Sequence, residues 1–140
     1  MTYENYIKAS LTTFAAKEGL RYGSTDCPLA IAQAIANRIA QGWQGGDWLK
    51  VIEDADRVRG TVYKEPYEIE YRGHAFRQLL TAIEDVYHGV AESNINVDGT
   101  PGLYYCELHN VTSPWFYKNI IERPDDHPRI AKVGELTFFA

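Results

Sequence analysis

Leu103-Tyr104-Tyr105-Cys106-Glu107-Leu108 and Val133-Gly134-Glu135-Leu136-Thr137-Phe138-Phe139 are the stretches that decide the fold, because the hydrophobic period changes in them. Their aromatic and β-branched residues partly alternate, as in a pleated strand with one face on a core. They predict two or three strands closing a small sheet around Trp115 and Phe116. The chain N-terminal to Val90 follows the helical period instead. Helices first and strands last give an α+β fold, mainly helical with a small C-terminal antiparallel sheet.

Working outward, Tyr3, Tyr6, Ile7, Leu11, Phe14 and Ala15 recur at helical spacing and predict a first helix ending at Gly19. Ser24-Thr25-Asp26 offers capping side chains before Pro28, and Leu29, Ile31, Ala32, Ile35, Ala36 and Ile39 continue as a strongly apolar second helix to about Gly42. This second helix is expected to be the central buried one. Asp47 can cap a brief third helix carrying Trp48, Leu49, Val51 and Ile52. The segment from Asp56 to Arg72 mixes charge, Pro66 and three tyrosines without clean periodicity and reads as a long surface loop with room for a short strand. Phe76, Leu79, Leu80, Ile83, Val86, Tyr87 and Val90 share one face of a fourth helix, and a turn-rich connector from Asn94 to Gly102 follows.

With 140 residues the chain suits a single domain, 1–140, and its 45% hydrophobic and 24% charged content is that of a folded globular protein. A net charge of -5 argues against duplex nucleic acid as a partner, since such binding draws its affinity from Lys and Arg on phosphates. No stretch has the length of a membrane span, so no membrane insertion is expected. Met1-Thr2-Tyr3-Glu4-Asn5 lacks the layout of a signal peptide, which points to cytoplasmic synthesis. Cys27 and Cys106 form no disulfide framework and read as buried thiols; no metal and no cofactor is predicted from them or from the scattered histidines.

Three segments in order carry a resemblance. They are Ala30 to Ile39, containing Asn37-Arg38; the run Phe76 to Gly89 followed by Gly102-Leu103-Tyr104-Tyr105; and Ser113-Pro114-Trp115 followed by Val133 to Phe139. Together they resemble the SleB-type cell-wall hydrolases, the family that includes spore cortex-lytic enzymes. The resemblance implies a lysozyme-like domain that cleaves peptidoglycan glycan strands after N-acetylmuramic acid, by water or by internal capture as in a lytic transglycosylase. It also suits a bacteriophage lysis or virion component, with peptidoglycan and other virion proteins as partners, acting at the cell wall or within a phage particle. The alternative is a non-catalytic lysozyme-fold module of a phage particle, serving a structural or wall-binding role.

The family places one catalytic glutamate at the end of the helix before its Asn-Arg helix, and Glu18 in Ala16-Lys17-Glu18-Gly19 is the matching position. A carboxylate in the last turn of a helix meets the negative end of the macrodipole, which disfavours its charged form and suits a general acid. Leu20 and Leu29 are expected to help desolvate it. The competing reading is a solvated helix-end glutamate paired with Lys17 or Arg21. Asp26, the one nearby acid in sequence, reads as a helix cap rather than a second catalytic group.

Tyr104 and Tyr105 match the family's paired tyrosines, implied to reach the sugar groove; adjacent strand residues face opposite ways, so at most one lines it. Asn37 is a candidate for hydrogen bonding within the groove, and Arg38 for anchoring a helix end. Trp115 is a candidate for stacking on a sugar ring, although a tryptophan between two strands is more often core. The chain departs from the family at Leu136, where the family has histidine, and lacks its second glutamate at the same offset.

Overall fold

In the computed structural model, which describes residues 2–19, 21–22, 24–59 and 74–140, the first helix is the hub. Helix α1 (Tyr3–Gly19) is buried at twelve positions, including every residue from Ile7 to Ala16. Helix α2 (Cys27–Ala40), α3 (Trp48–Arg59) and α4 (His74–Tyr87) all pack against it. Helix α2, expected to be the central buried one, likewise packs on α1, α3 and α4 and places Ile31, Ala32 and Ile35 in the core, so the two helices share the centre. The polar letters Lys8, Ser10, Thr12 and Thr13 hide the burial of α1 from a hydrophobicity pattern, yet all four lie in the interior or at its edge. Two have partners: the Thr12 hydroxyl donates to the Lys8 carbonyl one turn back at 2.7 Å, and the Lys8 ammonium reaches Glu84 of α4 at 2.8 Å.

The start of α2 departs from its predicted form. Asp26 stands at the N-cap but makes no capping side-chain bond. The Ser24 hydroxyl instead accepts from the Asp26 N–H at 3.1 Å, forming a turn just ahead of the helix. Helix α3 runs to Arg59 and is longer than expected, so Asp56 belongs to a helix and not to a loop. The remainder of that predicted loop, 60–72, lies outside the described residues.

After α4 the chain makes a short antiparallel hairpin, β1 (Asn96–Val97) with β2 (Thr100–Pro101), within what reads in sequence as an irregular connector. A three-stranded antiparallel sheet follows in the order β3-β5-β4, with β3 at Tyr104–Cys106, β4 at Arg129–Val133 and β5 at Leu136–Phe139. Between β3 and β4 lies the short helix α5 (Pro114–Phe116), started by Pro114 and capped by the Ser113 hydroxyl accepting from the Phe116 N–H. The run Val133 to Phe139 is therefore not one strand; Gly134 and Glu135 turn it back on itself. The fold is α+β, with a small C-terminal antiparallel sheet. No helix among the described residues is long and apolar enough to cross a membrane.

One core joins both parts. Leu11 and Phe14 of α1, Ile31 and Ile35 of α2, Ile52 of α3 and Ile83 of α4 meet Leu136 and Phe138 of β5. Leu136, the position of the family's histidine, is fully buried, so an imidazole there would lose its water without a polar partner in this apolar setting.

Candidate functional site

Glu18 sits in the last turn of α1 with its side chain wholly buried. The Tyr22 hydroxyl donates to one carboxylate oxygen at 2.9 Å, and the half-exposed Arg21 guanidinium lies 3.7 Å from the other. The solvated reading is thus overturned, while the pairing with Arg21 is present. Burial does not come from Leu29, which is exposed, and Leu20 lies outside the described residues. It follows from the place of α1 at the centre of the bundle.

Tyr22 is itself fixed from the sheet side. Its carbonyl accepts from the Glu135 N–H at 3.0 Å and from the Cys27 thiol at 3.5 Å. The same thiol reaches the Val133 carbonyl at 3.3 Å, and burial pushes its pKa up. The β4–β5 turn therefore holds Tyr22, and Tyr22 holds the Glu18 carboxylate. The sequence gives no signal for Tyr22 in this role, because its partners are brought in by the sheet.

A second acid belongs to the same region. Asp56, in the last turn of α3, is 8% exposed, and its Oδ1 has no hydrogen-bond partner among the described residues. Its carboxyl is pushed up to about 6, chiefly by burial; the Lys17 charge opposes this and the Glu18 charge reinforces it. In a segment that reads as loop, Asp56 does not stand out as a candidate. The signal that finds it is the apolar row Trp48, Val51, Ile52, Ala55, which keeps helical spacing up to the residue before it. Asp26, weighed as the nearby acid, is exposed instead.

The other candidates gather around the end of α2. The Asn37 amide donates to Asn96 Oδ1 at 2.7 Å and to the Gly102 carbonyl at 2.8 Å, and its oxygen accepts from Gln33 at 3.0 Å. Asn37 is buried and committed to tying the β1–β2 hairpin to α2 rather than lining a groove. Its replacement by alanine leaves the Gly102 carbonyl and Asn96 without this donor and is expected to cost about 2 kcal/mol, read from urea unfolding. An unchanged midpoint would show that these bonds are made equally well by water.

Arg38 anchors as expected, donating from Nε to the Leu103 carbonyl at 2.8 Å. Its guanidinium lies 4.9 Å from the Trp43 ring centre, 6.0 Å from that of Tyr104 and 5.8 Å from that of Tyr105. The two tyrosines do part company across the strand. Tyr105 is buried against Phe138, whereas Tyr104 is half-buried between Trp43 and His127, with ring centres 5.6 and 5.2 Å away. Trp115 is 59% exposed, against the core reading; its neighbour Phe116 takes the inward position on Phe139. On this helix of three residues Trp115 faces out while Phe116, partly buried, turns to the core.

The structure thus brings Asn37 and Arg38 to Gly102-Leu103-Tyr104-Tyr105, and pairs Tyr104 and Tyr105 with Phe139 and Phe138 on β5. Grooves on the described surface include one lined by Asp26, Leu29, Gln33 and Glu92 and one lined by His109, Arg129, Lys132 and Glu135. Glu18 lines neither of them. The chain matches no protein-family model, no curated protein and no solved structure.

Proposed function

We propose that the chain cleaves peptidoglycan glycan strands at the glycosidic bond after N-acetylmuramic acid, as a lytic transglycosylase does, with Glu18 as acid and base. The observation that carries the reading is the state of Glu18: a carboxylate withdrawn from water at a helix end, oriented by the Tyr22 hydroxyl, with a second buried acid in its field. Further support comes from the three segments that resemble SleB-type hydrolases, which are hydrogen-bonded or paired to one another across about 65 residues of chain. Tyr104 and the exposed Trp115 are the aromatic groups available to sugar rings. A phage lysis or virion setting belongs to the same proposal.

In the proposed reaction Glu18 gives its proton to the glycosidic oxygen as the bond from that oxygen to C1 breaks. The resulting carboxylate takes a proton from the 6-hydroxyl of the muramic acid, whose oxygen closes on C1 to give a 1,6-anhydro end. Water in place of that hydroxyl gives hydrolysis, for which a second carboxylate is the usual requirement.

The burial of Glu18 away from both described grooves favours a second reading, a wall-binding or virion module in which this carboxylate only ties α1 to the Tyr22 turn. Digestion of purified peptidoglycan, with the soluble products identified by mass spectrometry, separates the two. Anhydro-muramic products from the wild type, reduced about a hundredfold or more in Glu18→Gln, are expected. A wild type that releases nothing, yet sediments with the wall, rejects catalysis and leaves the binding module.

A further inference from the structure

We infer that the groove on the outer face of the C-terminal sheet binds a free carboxylate of a short zwitterionic peptide. On the wall-cleaving reading that peptide is the stem carried by the glycan strand. The choice of the stem rests on that reading; the binding chemistry of the groove does not.

Strand alternation sets the floor of this groove. Leu136 and Phe138 of β5 face the main core, so Thr137 and Phe139 face the other way. Phe139 is packed with Phe116 and Ile120, whereas Thr137 lines a groove of about 360 Å³. That volume lies within the range of small-molecule sites, about 300–1,000 Å³. The walls include Leu108 and His109 from the short turn after β3, Arg129 and Lys132 from β4, and Glu135 from the β4–β5 turn.

A β-bulge brings the two cations together. Arg129 and Lys132 are an odd number of positions apart, and on a regular strand such residues point to opposite faces. The irregularity between Arg129 and Ala131 resets the register, so that Arg129 stands opposite Phe139 and Lys132 opposite Thr137. Since Phe139 and Thr137 share the outer face of β5, both cations are delivered to that face.

Neither cation has an ion-pair partner among the described residues. In a chain of net charge -5, two uncompensated cations in one concavity concentrate a positive field there. Thr137 is 6% exposed, and its hydroxyl makes no hydrogen bond among the described residues, so the floor offers a further donor. A carboxylate can accept from the guanidinium, the ammonium and this hydroxyl in charge-assisted bonds. Glu135, which also has no ion pair among the described residues, adds a negative wall, and the Glu107 carboxylate lies 3.5 Å from His109 Nε2. These two acids repel a phosphate dianion and suit an ammonium group. A peptide with both a carboxylate and an amine therefore matches the groove, with Leu108 as its apolar contact.

Amide NMR titration of the intact chain with the tripeptide alanyl-γ-glutamyl-lysine, which has stem composition, tests the site without requiring activity. The expected Kd is about 1 mM or tighter, with shifts at Leu108, His109, Arg129, Lys132, Glu135 and Thr137. Capping both carboxyls as amides, or combining Arg129→Gln with Lys132→Gln, should weaken binding about tenfold or more. Both side chains are exposed, so the double variant keeps the fold, and an unchanged spectrum elsewhere verifies this. Glu135→Gln should shrink the preference for the free peptide over one acetylated at both amines by about threefold. No saturable shift at about 10 mM peptide, equal binding of the capped peptide, or inorganic phosphate binding as tightly as the peptide overturns the inference. Binding without release of products from peptidoglycan rejects the cleavage and upholds the groove; cleavage without peptide binding rejects the groove alone.

Discussion

Gly134→Ala is expected to destabilise the fold by about 3 kcal/mol or more, over a hundredfold in the ratio of folded to unfolded chain. Gly134 has φ +56, a left-handed conformation that an alanine adopts only with strain. An added Cβ would also overlap the Tyr22 carbonyl oxygen and lie 2.8 Å from Cys27 Sγ and 3.0 Å from Ser24 Cβ. The nearest of these atoms is backbone, so relief requires the β4–β5 turn to move away from the Tyr22 segment. That movement breaks the Glu135 N–H bond to Tyr22 and releases the residue whose hydroxyl holds Glu18.

Gly99 provides the control, because it too has positive φ, at +78, but an added Cβ meets nothing within 4 Å. Gly99→Ala should cost about 1 kcal/mol, the conformational part alone. Urea unfolding of the two variants side by side separates strain from collision. Equal losses would mean that the turn yields freely, and the link from sheet to Tyr22 to Glu18 would lose its basis.

The second large effect runs the other way and depends on pH. The folded chain holds the Asp56 proton to about pH 6, against 3.8 for the ordinary group. Between those values the folded state binds more protons than the unfolded one, so stability falls as pH rises through this window and stays lower above it. The full difference corresponds to about 3 kcal/mol, and solvent screening brings the expected loss to about 2 kcal/mol.

Asp56→Asn removes the ionisable group while nearly keeping its shape. At pH 8 this variant should be more stable than the wild type by about 2 kcal/mol, or about 6 °C in melting temperature for a chain of this size. At pH 4 the two should melt together. A gain at both pH values would point to packing instead of charge, and no gain at either would place Asp56 in contact with water.

Much of the architecture is legible along the chain. The first helix ends where Gly19 predicts, and Gly42 follows the second helix in the left-handed conformation after its last turn. The aromatic stretches at Leu103 and Val133 announce the sheet. The third helix is longer than its sequence suggests, because charged letters after Ile52 mask an apolar row that continues to Ala55, and Asp56 lies in the part that is masked. The position of Glu18 at a helix end and the opposite facing of Tyr104 and Tyr105 can be read in advance. Tyr22 and Asp56 cannot, since their importance lies in what they touch.

The sequence by itself determined the α+β order, the place of Glu18 at a helix end and the strand alternation that buries Tyr105 and leaves Tyr104 at the edge, because hydrophobic period and helix stops are local properties. Only the tertiary structure decided that α1, with its Ser and Thr residues, is buried along most of its length, that Asn37 is spent on Asn96 and Gly102, and that Asp56 shares the region of Glu18. Each of these depends on groups far apart in the chain. Burial, and with it the state of a carboxyl, is set by which surfaces meet, and no local pattern carries that information.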